Sequence, residues 1–120
     1  KQDAFDFLNA QIATQAQFDV IIVDPPAFIK RKKDHKNGLE AYRRINEQAL
    51  KLLAADGVLV ASSCSYHLQR DELLTAINQG ASRLGITLQL LSECHQGMDH
   101  PIHPLIPETS YIKTLIFHRI

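Results

Sequence analysis

Two short segments place side chains capable of chemistry at the ends of apolar runs. Asp24-Pro25-Pro26-Ala27-Phe28 follows residues 18–23, and Ser62-Ser63-Cys64-Ser65-Tyr66 follows residues 58–61. Cys64 carries a thiol, which is a nucleophile once ionised. Asp24 carries a carboxylate that accepts hydrogen bonds and exchanges protons. The carbonyls of a Pro-Pro turn are not consumed by helix hydrogen bonds, so they are free to accept from a substrate amine. Phe28 offers a ring on which a planar base can stack. The plainer reading is a strand-ending turn and a buried, inert cysteine. Placement favours chemistry: in a parallel α/β sheet, the carboxyl ends of neighbouring strands open onto one crevice.

The elements that must position these groups follow from periodicity. Phe5, Leu8 and Ile12 share one helical face, with Asp3 as a candidate cap. Residues 18–23 are β-branched and mostly apolar, as in a strand buried on both faces, and the double proline ends it. Residues 30–38 hold Lys30, Arg31, Lys32, Lys33 and Lys36 against one aspartate, Asp34, and read as an exposed, mobile loop. Leu39, Tyr42, Ile45, Ala49, Leu50 and Leu53 then predict an amphipathic helix, closed by Asp56-Gly57. Residues 58–61 predict a short buried strand, and Leu73, Leu74, Ile77, Ala81 and Leu84 a helix closed by Gly85. Residues 86–91 predict a third strand and residues 111–118 a fourth, joined by a proline- and histidine-bearing loop at 93–108. Alternation of this kind predicts an α/β fold with a parallel sheet. The last two strands lack an intervening helix and are expected to pair antiparallel.

At 120 residues the chain fits one small domain or a piece of a larger one. Thirteen basic and thirteen acidic residues cancel, so net charge argues neither for nucleic acid nor for membrane. No apolar run approaches the roughly 20 residues that span a bilayer. Two cysteines make no disulfide framework, which points to a reducing, cytoplasmic setting. His95, His100 and His103 are irregularly spaced in a proline-rich loop, so no metal site is expected. That loop, stiffened by Pro101, Pro104 and Pro107, is expected to wall a substrate pocket. Cys94 reads as structural.

An Asp-Pro-Pro turn after a strand resembles a hallmark of class I S-adenosylmethionine-dependent methyltransferases. The longer string from Phe18 to Phe28, with Gly38-Leu39-Glu40-Ala41-Tyr42-Arg43-Arg44, resembles the large-subunit rRNA cytosine-C5 methyltransferase I family. Ser63-Cys64-Ser65-Tyr66-His67 and the tail Asp99-His100-Pro101 through Pro107-Glu108-Thr109-Ser110-Tyr111-Ile112-Lys113 resemble the same family. The likeness runs in order from Asp3 onward.

The resemblance implies a mechanism. Carbon 5 of cytosine is a poor nucleophile, and a thiolate adding to C6 turns the ring into an enamine-like species whose C5 can accept a methyl group. Cys64 would be that nucleophile. Asp24, protonated or hydrogen-bonded at N3, would orient the base and stabilise charge as sulfur adds. Some relatives carry a second cysteine in the aspartate motif that aids product release. Here Ala27 stands in its place, so release falls to another base, such as Asp24 or water. Asp3, Ala4 and Phe5 resemble the adenine-contacting segment of the cofactor site, to which Asp24 and Pro25 also belong. Pro26, Phe28, Lys30, Arg31, Lys32 and Lys33 would meet the RNA, the basic cluster through its phosphates.

The resemblance also implies the C-terminal half of a Rossmann-like class I methyltransferase sheet, parallel with a final antiparallel strand. Residues 1–120 would form the C-terminal part of the catalytic domain. The glycine-rich turn of the cofactor-binding half and an RNA-binding module are not in the sequence. The isolated piece is therefore expected to be inactive, and the open edge of strand 18–23 would favour a homo-oligomer. Two rivals remain: an exocyclic amino-group methyltransferase using Asp24 and the Pro25 carbonyl, and a non-catalytic α/β module.

Overall fold

The computed structural model describes residues 1–120. The order is α1 (Ala4–Ala13), β1 (Phe18–Val23), a 3-10 turn (Lys32–Asp34), α2 (His35–Leu52), β2 (Leu53–Ser63), α3 (Arg70–Arg83) and β3 (Leu88–Cys94). A second 3-10 turn (Pro107–Thr109) precedes β4 (Lys113–Arg119). The four strands form one sheet in the order β1-β2-β4-β3. β1 and β2 are parallel, and β4 runs antiparallel to both β2 and β3. The expected antiparallel pairing of the last two strands is present. β4 also inserts between β2 and β3, which leaves β1 and β3 as the edges.

The core lies on one face of the sheet. Tyr42, Ile45, Ala49 and Leu50 of α2 and Leu73, Ile77 and Ala81 of α3 pack on Leu59, Ala61, Leu115 and Phe117, with Phe5 and Leu8 of α1 at the margin. The opposite face carries no element of this chain. Val20 and Ile22 are therefore 60% and 68% exposed, and Val58, Val60 and Ile116 are only half-buried. This corrects the expectation that residues 18–23 are buried on both faces, and that residues 58–61 are buried throughout. Their apolar runs are those of two-sided strands, but only one side is covered here.

Several boundaries differ from the periodicity reading, β2 and β4 among them. The basic segment is not a loop to residue 38: it coils at Lys32–Asp34 and enters α2 at His35. Gly38 is where α2 meets the Asp-Pro-Pro segment, and a Cβ there would fall 2.2 Å from Ile29 Cγ1 and 2.8 Å from the Phe28 carbonyl oxygen. At its other end α2 stops at Leu52. Asp56-Gly57 instead forms a bulge inside β2, with Asp56 in the left-handed region at φ 60°, between the pairs Phe18–Leu53 and Val20–Val58. Finally, β3 extends to Cys94, whose side chain is exposed. Cys94 sits at an edge-strand end opposite Thr114, not in the core.

Candidate functional site

β1 and β2 run side by side with Val23 opposite Ala61. Asp24 leaves the end of β1 and Cys64 leaves the end of β2, so parallel pairing carries both to the same end of the sheet. Both side chains are exposed. They line one cleft of about 480 Å³ together with Pro25, Pro26, Ser62, Ser63, Ile112 and Thr114. Ser62 and Thr114 share a hydrogen bond of 2.8 Å on its floor.

The same Asp24-Pro25-Pro26 turn lines a second cleft of about 460 Å³ on its other side. That cleft is mostly apolar and contains Asp3, Ala4, Phe5, Ile22, Phe28 and Ile45 among its walls. Asp24 and the two prolines thus form a partition between a cleft bearing a thiol and a cleft bearing the start of α1.

At the start of α1, Asp3 is the N-cap. Its Oδ1 accepts from the Phe5 amide at 2.9 Å and the Asp6 amide at 3.2 Å, which uses one carboxylate oxygen. The Ala4 amide, at the first helical position, has no carbonyl of its own helix to donate to. The Arg44 guanidinium lies 4.6 Å from the Phe5 ring centroid, and the half-buried ring also packs against the core. The apolar cleft thus has a carboxylate oxygen and the start of α1 on its walls.

Other predicted residues lie elsewhere. Phe28 lines the apolar cleft with Asp3 and Phe5, not the Cys64 cleft, and its ring meets Tyr42 edge-on at 4.9 Å. Lys30, Arg31 and Lys33 line neither cleft, and Arg31 pairs with Asp34 at 2.9 Å. Lys32 borders a separate hollow with His35, His67, Gln69 and Glu72. The 93–108 loop gives the Cys64 cleft no wall; Ile112, just beyond it, does. The loop is held instead by Gln96, which donates to the carbonyls of His100 and Thr109 and accepts from the amides of Tyr111 and Ile112. No group of three or more His, Cys, Asp or Glu is arranged to hold a metal ion. No helix is long and apolar enough to cross a membrane. A larger groove between α2 and α3, about 810 Å³, shares no residue with either cleft and is lined mostly by polar and charged residues.

Residues that support the Cys64 turn escaped the sequence reading. Tyr42 is fully buried, and its hydroxyl meets Ser65 Oγ at 2.7 Å and Ser63 Oγ at 3.0 Å. Lys113 donates through Nζ to the Ser65 carbonyl at 2.7 Å and the Tyr111 carbonyl at 3.1 Å. Burial pushes its ammonium below the ordinary lysine value of 10.5, against the pull of Cys64 and Glu72. Two signals were available. A tyrosine in a core stripe needs a partner for its hydroxyl, and a lysine opening the apolar run 113–117 needs one for its charge.

No protein-family model matches the chain. It is 34% identical over 113 residues to the ribosomal RNA large subunit methyltransferase I of Citrobacter koseri, covering 94% of this chain and 28% of that protein. The chain therefore spans under a third of the length of this relative. The solved structure of SMU.776 complexed with SAH matches at TM-score 0.77 and 20% identity, over 98% of this chain and 30% of that one. A methyltransferase homologue from Pyrococcus horikoshii matches at TM-score 0.64 and 21% identity, over 94% and 42%. Likeness along nearly its whole length, on a shared Rossmann-like methyltransferase fold, makes this chain a homologue of one segment of the ribosomal RNA large subunit methyltransferase I family.

Proposed function

We propose that this chain supplies the base-reacting part of an S-adenosylmethionine-dependent methyltransferase that acts on C5 of a cytosine in large-subunit ribosomal RNA. The observation that carries the proposal is the shared cleft of Cys64 and Asp24, formed by the ends of two adjacent parallel strands. The relative's name supplies the ribosomal RNA and the methyl transfer.

In this reading Cys64 attacks C6 of the cytosine as a thiolate, forming an S–C6 bond and moving electron density to C5. Asp24 as the carboxylic acid gives its proton to N3, which neutralises the charge that develops there, and the N3 proton is released again when the ring is restored. After C5 is alkylated, a base removes its proton and the S–C6 bond breaks, which restores the aromatic ring and the thiolate. Ala27 offers no second thiol for that step, so Asp24 or a water molecule takes the proton. Asp3 through its second carboxylate oxygen, the Ala4 amide and the Phe5 ring at the cleft wall would hold the adenine of S-adenosylmethionine, whose sulfonium supplies the methyl group. The Pro25 and Pro26 turn between the clefts keeps the two ligands adjacent yet separate. Lys32, at the hollow beside α2 and α3, would meet phosphates and give salt-dependent affinity.

Trapping tests the reading. The full-length protein incubated with RNA carrying 5-fluorocytosine and S-adenosylmethionine should form a covalent adduct that survives denaturation, and Cys64→Ala should form none. Unimpaired methyl transfer by Cys64→Ala would instead favour amino-group methylation, for which Asp24 and the Pro25 carbonyl suffice.

A further inference from the structure

The cleft's two walls belong to different segments, and one hydroxyl joins them. The Tyr42 hydroxyl accepts from Ser63 Oγ at 3.0 Å and from the Phe28 amide at 3.4 Å. With both acceptances in use, its own proton points to Ser65 Oγ, 2.7 Å away. Ser65 Oγ in turn accepts from the Ile29 amide at 3.3 Å, and the Ser65 amide donates to Ser63 Oγ at 3.1 Å. Ser63 and Ser65 flank Cys64 on either side, while Phe28 and Ile29 end the segment that begins at Asp24. Tyr42, Ser63 and Ser65 are each at most 1% exposed, so water does not compete for these bonds.

We propose that Tyr42 is a positioning residue for the reaction, its hydroxyl fixing the Cys64 turn against the Asp24 turn. A helix core position needs only an apolar ring, and the ring already packs edge-on against Phe28. Beside the direct bond from the Ile29 amide to Ser65 Oγ, the hydroxyl ties Phe28 of one turn to Ser63 and Ser65 of the other. Its two serine partners lie one residue before and one residue after the thiol, so the bonds set the direction in which Cys64 leaves β2. Small displacements of a nucleophile from its attack geometry cost rate far more than they cost binding. Removing the hydroxyl should therefore reduce the chemical step while leaving substrate affinity in place.

This inference rests on Cys64 being the nucleophile, and the test separates the two. Tyr42→Phe, Ser65→Ala and their double variant are compared with wild type and Cys64→Ala in the full-length protein. The measurements are thermal melts, kcat and KM for RNA, and the rate of 5-fluorocytosine trapping. Tyr42→Phe should remain folded at the assay temperature and keep KM within about twofold, while kcat and the trapping rate both fall by about tenfold or more. The losses in the double variant should be less than additive, because the two side chains share the Tyr42–Ser65 bond, while Ser65→Ala also strips the Ile29 amide of its acceptor. Wild-type kcat and trapping in folded Tyr42→Phe would overturn the proposal, as would a loss confined to KM or a kcat loss equal to the unfolded fraction. Methyl transfer retained by Cys64→Ala would sink the nucleophile reading itself, whatever Tyr42→Phe shows.

Discussion

The Lys113 ammonium donates to the Ser65 carbonyl at 2.7 Å, so the strand inserted between β2 and β3 holds the residue that follows Cys64. Lys113 lies opposite Ser63 in the β2–β4 ladder. Its charge reaches the turn from below while its stem covers apolar surface. Three parts of the chain thus converge on residues 63–65: α2 through Tyr42, β4 through Lys113, and the Asp-Pro-Pro segment through the Ile29 amide.

The Lys113 environment predicts a pH dependence of stability. Burial lowers its folded-state value below the ordinary 10.5. Between the two values the unfolded chain binds more protons than the folded one, so stability from this group rises with pH across that window. The stability of wild type relative to Lys113→Met should therefore increase as pH climbs toward 10.5 and level off above it. Urea melts of both proteins from pH 8 upward read this difference, and a flat or falling difference contradicts the assignment.

Gly38 predicts a conflict between local and tertiary preference. In an exposed helix interior, Gly→Ala gains about 1 kcal/mol. Here the added methyl meets Ile29 Cγ1 at 2.2 Å and the Phe28 carbonyl oxygen at 2.8 Å, and overpacking of this kind costs about 1–3 kcal/mol. Because one contact is backbone, Gly38→Ala should lower the melting temperature and, by pushing the Phe28–Ile29 segment off α2, reduce trapping at Cys64. A raised melting temperature would show that the segment yields freely.

Asp3 caps α1 with one oxygen, and in the proposed function its other oxygen meets the cofactor, two roles that substitution can separate. Asp3→Ala should lose the cap, about 1 kcal/mol of stability, and also weaken S-adenosylmethionine binding. Asp3→Ser keeps a capping oxygen but is too short to reach a ligand, so its melt should stay near wild type while cofactor affinity falls. Calorimetric titration beside thermal melts decides the matter, and unchanged affinity in both variants would leave Asp3 as a cap alone.

Much of the fold was legible because the local signals agree. The Pro25-Pro26 pair can only end β1, and the three- and four-residue apolar steps of α2 and α3 can only bury one stripe. What misled was context. The continuous apolar run Val20-Ile21-Ile22-Val23 is that of a two-sided strand whether or not a second layer is present. Asp56-Gly57 is as good a helix stop as a bulge, and only its pairing with β1 distinguishes them. Lys32–Asp34 read as a loop from charge, although Asp34 closes a turn there, its amide donating to the Arg31 carbonyl and its carboxylate accepting from the Arg31 guanidinium.

The sequence by itself determined which reactive groups sit at strand ends: a carboxylate after residues 18–23 and a thiol after residues 58–61. Parallel pairing made it natural that they should face one crevice, and the motif strings tied them to one family. Tertiary structure decided what surrounds them. Phe28 falls on the Asp3 side of the proline turn, the histidine loop stands clear of the thiol, and Cys94 is on an edge. It also decided that Tyr42, twenty-one residues before Ser63 in the chain, joins the two turns. A side chain's partners across that separation depend on how helix and sheet pack, which residue spacing along one element cannot encode.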